Sequence, residues 1–254
     1  MNKINVLFIL LASWLNLQGQ ETIVTDRPDQ TEASITIPHR SFQIETGFGF
    51  NFTNEMTSFS APNTLFRYGL FPFLELRLFN EVLVEKHINS KKNSGISDLQ
   101  VGVKVQLFKK EDNKTSVAFL SHLITASGSN QLSNHAWGNT SRLLITHQIN
   151  DKTALGYNIG YSYLNSTKGN LVLTLSCAQA VTSKFGIFAE VYGDWIEFDK
   201  AIVNGDAGFT YLIKPNLQLD ASYGLGFNQR MNFASLGVSW NIAPSPKVVS
   251  PTND

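Results

Sequence analysis

From Phe42 onward, apolar side chains recur at every second position. In "SDLQVGVKVQLF", Ser97 to Phe108, Leu99, Val101, Val103, Val105 and Leu107 share one parity, and Asp98, Gln100, Gly102, Lys104 and Gln106 share the other. A period of two predicts a β-strand with one apolar and one polar face. The same reading predicts twelve strands, at 42–52, 64–71, 74–84, 97–108, 115–125, 139–149, 153–164, 170–181, 185–195, 203–213, 217–227 and 234–242. Only 115–125 has two faces too alike to tell apart. The others are about 8–12 residues long, the length of a tilted membrane strand rather than the five or six usual in soluble sheets.

The connections sort by parity. After even-numbered strands come short turns at Phe71, Lys109, Asn150, Thr182 and Lys214. After odd-numbered strands come mostly longer polar loops, such as those starting at Asn54, Lys86 and Ala126. Short turns on one rim and long loops on the other characterise an outer-membrane barrel, whereas a sandwich has no reason to sort its loops this way. The polar faces carry Gly, Ser, Asn, Thr and Gln with scattered charges, which suits a confined lumen better than bulk water. Tyr157, Tyr163, Trp195, Tyr211, Phe227 and Trp240 lie toward strand ends, where aromatic girdles form. The fold class expected is therefore all-β: a transmembrane antiparallel barrel of twelve strands, residues 42–243, with outer-membrane lipid as the partner of its apolar faces.

Composition agrees. Charged residues are 16% of the 254, below the roughly 25% of soluble proteins. The net charge is zero, so nothing suggests a nucleic-acid partner. A basic start at Lys3, an apolar run from Val6 to Leu15 and a small, polar end at Gln18–Gln20 make residues 1–20 a secretory leader. Residues 21–41 form a periplasmic segment, and the Pro- and Ser-rich residues 244–254 a disordered tail. The single Cys177 excludes an intrachain disulfide.

No reaction centre is visible. A lipid hydrolase on a barrel wall needs a His and a Ser two residues apart on one outward face. His122 instead follows Ser121 directly, and His147 has no Ser at that spacing. His39, His87 and His135 are too scattered for a metal site. The expectation is no enzyme, no cofactor and no metal. The chemistry lies in the inward charges: Glu45, Glu75, Glu81, Asp98, Glu190, Asp194, Asp206 and Asp220, with Arg67, Arg77, Lys104 and Arg142. They either pair across the interior and brace it, or line a solute path.

"TDRPDQTEASITIPHRSFQIETGF" carries a resemblance. Asp26, Arg27, Pro28, Thr31, Glu32, Pro38, Gln43, Glu45 and Gly47 are similar to the N-terminal motif of outer-membrane barrels known as transporters or as the phenol meta-degradation pathway family; His39 and Ala33 depart from it. The resemblance implies passage of a small, aromatic or hydrophobic solute, of unknown identity, and no catalytic residues. Ser235, Gly237, Trp240 and Ile242 resemble the terminal signal read by the barrel-assembly machinery, here followed by the tail. The alternative is a closed barrel serving as anchor or surface scaffold. The motif itself packs Asp26, Arg27, Asp29 and Glu32 around Pro28 next to the first strand. About ten extended residues reach roughly 30 Å, the depth of a bilayer core. The segment is thus expected to fold into the lumen and gate it, with Arg27 pairing with Glu45 or Glu75 and Asp26 with Arg77.

Overall fold

The computed structural model describes residues 22–28, 30–109, 114–164 and 168–242. The leader 1–20, the tail 244–254 and Asp29 lie outside the described residues.

Thirteen strands form: β1 (Phe42–Thr53), β2 (Met56–Phe71), β3 (Leu74–His87), β4 (Lys92–Ile96), β5 (Gln100–Lys109), β6 (Thr115–Ile124) and β7 (Gly138–Gln148). They continue with β8 (Thr153–Leu164), β9 (Asn170–Ala180), β10 (Phe185–Ile196), β11 (Lys200–Lys214), β12 (Leu217–Gly226) and β13 (Met231–Ile242). Strands consecutive in sequence pair antiparallel, except that β4 and β5 both pair with β3, and β1 pairs with β13 from Phe42↔Ile242 to Thr53↔Met231, which closes the ring. Closure leaves no free edge, the condition for a sheet in lipid, where an unpaired backbone group costs several kcal/mol. Among the described residues no helix is long and apolar enough to cross a membrane.

The ring has twelve staves, because β4 and β5 share one. The first half of β3, Leu74–Phe79, pairs with β5, and its second half, Val82–Lys86, pairs with β4. Residues 97–99 are a break within that stave. The loop expected from Lys86 thus shrinks to 88–91, the gap between β3 and β4. The loop expected from Asn54 is likewise mostly strand: β2 starts at Met56 and leaves only Asn54 and Glu55 as a turn. What imitates a loop there is Pro62, which lacks a ladder donor and sits where the register shifts between Ser60 and Asn63. The long connection at 125–137 forms as expected.

The molecule is inside-out relative to a soluble sandwich. Phe48, Val101, Leu107, Leu175, Ile187 and Leu236 stand exposed on the outer wall, while Gln43, Glu45, Arg67, Glu75 and Lys104 are fully buried within it. Trp240 and Tyr211 mark the rim that carries both chain ends, and Tyr163, Trp195 and Phe227 the distal one; all five are exposed. The ambiguous 115–125 stretch, β6, turns Ala118 and Leu120 inward against Leu144 of β7, a small apolar cluster that blurs its faces. An outward Leu175→Arg, in mid-strand, should cost about 2–4 kcal/mol. Urea titration of folding into lipid vesicles measures this; an unchanged midpoint would mean that this face does not meet lipid.

Candidate functional site: a plugged lumen

The described residues of 22–41 form no strand of their own. They enter from the rim that carries the chain ends, where the Ile23 N–H donates to Pro215 O at 2.8 Å. They leave past β3, where Thr36 Oγ1 donates to Pro72 O at 3.1 Å and the Ile37 N–H donates to Glu75 at 2.9 Å. Between these points the chain loops through the lumen. The Ala33 N–H donates to Asp26 Oδ1 at 2.9 Å and ties the two limbs together.

Asp26 is the centre of the near wall. Its carboxylate meets Arg77 at 2.6 Å, Lys104 at 2.8 Å and Arg67 at 3.2 Å. Arg67 also reaches Glu45 at 2.7 Å and Glu75 at 2.9 Å, and Arg77 holds Glu32 at 2.8 Å. These wall residues come from β1, β2, β3 and β5, brought side by side by ring closure. In a buried network each charge must have an opposite partner, because an unpaired one keeps its full desolvation penalty. The Asp26–Arg77 contact is the one anticipated.

Arg27 departs from expectation. Its guanidinium bonds Asp220 at 3.2 Å, Asn63 at 2.8 Å and Ser235 at 2.7 Å, rather than Glu45 or Glu75. Glu45 instead accepts the backbone N–H groups of Asp26 and Arg27, each at 3.0 Å. The reason is a notch. Gly47 and Gly237 face each other across the β1–β13 ladder, and a Cβ on either would strike the guanidinium. Two glycines at one ladder position let Arg27 lie against the wall; from sequence each reads as an ordinary inward Gly.

On the far wall Glu190 accepts from the Gln30 N–H at 2.6 Å, and from the Thr31 N–H at 2.9 Å and hydroxyl at 2.5 Å. Asn158 holds the Glu32 backbone, and Arg142 donates to Gln30 O at 3.1 Å. His122, beside Ser121, receives Arg77 Nε at 3.0 Å and belongs to the same network. Asp98 sits in the break between β4 and β5, where it accepts the N–H groups of Gly128 and Asn134, both at 2.8 Å, and anchors the 125–137 loop. Burial raises the Asp98 carboxyl pKa, but hydrogen bonds from Asn134, Ser133 and Gly128 outweigh it and hold it below the ordinary range. Asp194 and Glu81 face the distal half of the lumen, and Asp206 and Asp220 are buried in its wall.

Of the cavities that border the loop, two meet at Arg27 and Pro28. A distal one of about 680 Å³ is floored by Arg27, Pro28 and Gln30, and one of about 340 Å³ on the side of the chain ends touches Thr25, Arg27 and Pro28. Arg27 and Pro28 are the wall they share.

A family model described as "Putative MetA-pathway of phenol degradation" matches residues 25–242. An outer membrane channel from Pseudomonas putida F1 is similar in fold at 12% identity and TM-score 0.67, over 87% of this chain and 100% of that one. The KdgM porin is similar at 10% identity and TM-score 0.57, over 78% and 99%. A comparison with curated proteins finds no match.

Replacing Asp26 by Ala removes the one carboxylate that contacts Arg67, Arg77 and Lys104 together and leaves Lys104 with Glu32 at 3.7 Å; breaking these buried pairs should cost about 3–5 kcal/mol. Maleimide labelling of a Thr31→Cys reporter in a Cys177→Ser background should then accelerate. A labelling rate equal to that of the parent would mean that Asp26 does not hold the loop.

Proposed function

The chain belongs to the MetA-pathway phenol-degradation family, and from that premise we propose that it works as an outer-membrane channel for small solutes, gated by residues 22–41. The rim that carries the chain ends faces the periplasm, residues 1–20 direct export, and the barrel-assembly machinery inserts the barrel. The solute is small and aromatic or hydrophobic, a class supported by the family's description.

The observation that carries the reading is the shared wall. Two cavities approach each other through the lumen and are divided by the Arg27–Pro28 stretch, not by the barrel. Such a partition is held by hydrogen bonds and ion pairs to wall residues, with no covalent tie among the described residues, so it moves without unfolding the ring. Gating of this kind is an order change in one segment against a rigid scaffold. A second reading, a closed barrel acting as anchor or surface scaffold, draws on the density of buried ion pairs around Asp26.

Planar-bilayer recordings separate them. The full chain should pass small, intermittent currents, and a variant lacking residues 22–35 after the leader should pass larger, steadier ones. The deletion leaves Glu45 and Glu75 to balance most of the wall cations, so the barrel should still insert, as heat-modifiable gel mobility would verify. Equal conductance from a correctly inserted deletion reduces the segment to a linker. No current from either chain establishes the scaffold reading.

A further inference from the structure

The two halves of the lumen wall differ in charge. Arg67, Arg77, Lys104 and Arg142 all lie on β2 to β7. The other half, β8 to β13, contains no Lys or Arg except Lys200 and Lys214 at the exposed ends of β11. That half carries Glu190, Asp194, Asp206 and Asp220. The inserted segment neutralises only part of this wall: Arg27 reaches Asp220, and neutral donors of Gln30 and Thr31 reach Glu190.

Several acceptors on this wall have no partner. Glu190 and Asp206 face each other across the β10–β11 ladder, and Tyr192 faces Asn204 one step further out. Asp206, 7% exposed, has the Glu190 carboxyl as its side-chain hydrogen-bond partner, whereas Asn204 is 6% exposed with a free Oδ1. Asp220 Oδ2 and Ser222 Oγ are also unpaired. Every one of these is an oxygen, and such atoms are retained at a cost unless something donates to them. Asn204 lines the 680 Å³ distal cavity together with Glu81, Glu85, Asp194 and Tyr192; its one lining cation is Arg27, already bonded three times. The other cations near this rim, Lys86, Lys91, Lys92, Lys168, Lys200 and Arg230, are solvent-exposed.

We propose that the distal cavity binds small organic cations and that the path through it, between Glu81 and Glu85 of β3 and Asp194 of β10, is cation-selective. This rests on the channel reading and adds the charge class of its solute. An ammonium group would take the free Oδ1 of Asn204 and the field of Glu81, Glu85 and Asp194, while Tyr192 offers a ring face. Among the described residues no three His, Cys, Asp or Glu side chains converge as metal ligands, so the wall acts as an extended acidic field rather than a chelating centre.

Reversal potentials of the full chain in a KCl gradient test it. A cation-to-anion permeability ratio of about 3 or more is expected, falling at least about twofold in a Glu81→Gln/Asp194→Asn double variant and unchanged in Asp199→Asn, an exposed turn acid outside the cavity. Anion preference, or a ratio indifferent to the double variant, overturns the proposal. Absence of current would overturn the channel reading instead, and binding then decides: NMR line broadening of benzylammonium and benzoate is compared on the detergent-solubilised full chain. Preferential broadening of benzylammonium that the double variant loses supports the cavity assignment. Equal broadening of the two probes, or none of benzylammonium, overturns it.

Discussion

Arg67, Arg77 and Lys104 project into one side of a closed ring that supplies only Glu45 and Glu75 to oppose them. Three cations against two carboxylates leave the wall one charge in excess, buried where water cannot screen it. Asp26 removes the excess, and it does so at hydrogen-bonding distance from all three. The segment's position follows from this constraint. Once Asp26 is placed, Arg27 meets the Gly47–Gly237 notch, and Gln30 and Thr31 meet Glu190 on the opposite wall. Each contact is individually modest, but they share one backbone, so losing the central pairing loosens the others together.

The barrel was legible from parity alone, because lipid forces one face of every strand to be apolar and ring closure forces the strand count. The errors fell where another rule interrupts the pattern. Pro62 and the neighbouring Asn63 make the first half of β2 look like a loop, although a register shift accommodates the proline. Residues 97–99 break a stave whose continuation, β4, carries too few apolar residues to stand out. The blurred faces of β6 come from a real apolar cluster inside the barrel. In the site, the Asp26–Arg77 pairing was within reach of sequence, because both residues are charged and opposite in sign. The partner of Arg27 was not. It depends on which two glycines face each other across β1 and β13, and that is a register fact no local pattern carries.

Low identity to other barrels of this shape fits the same physics. A similarity in fold at 12% identity over the whole length of an outer membrane channel requires alternation, turn positions and closure to persist while individual residues change. Lipid-facing positions need only be apolar, and lumen positions need only be satisfied. The inserted segment is more constrained, since Asp26, Arg27 and Glu32 each answer particular residues on the wall.

The two walls then divide the work. Around Asp26 the near wall is densely ion-paired, which fixes the segment in place. The wall of β8 to β13 holds the segment through a single ion pair, Arg27–Asp220, and through neutral backbone and hydroxyl donors at Glu190, and leaves Asn204 Oδ1 without a partner. On the gating proposed above, a segment held more strongly on one side than on the other swings about the strong side. On the same proposal, a solute passes the acids of the distal cavity, Glu81, Glu85 and Asp194. The charge distribution within a single ring would then set both where the partition is hinged and what the passage beside it attracts.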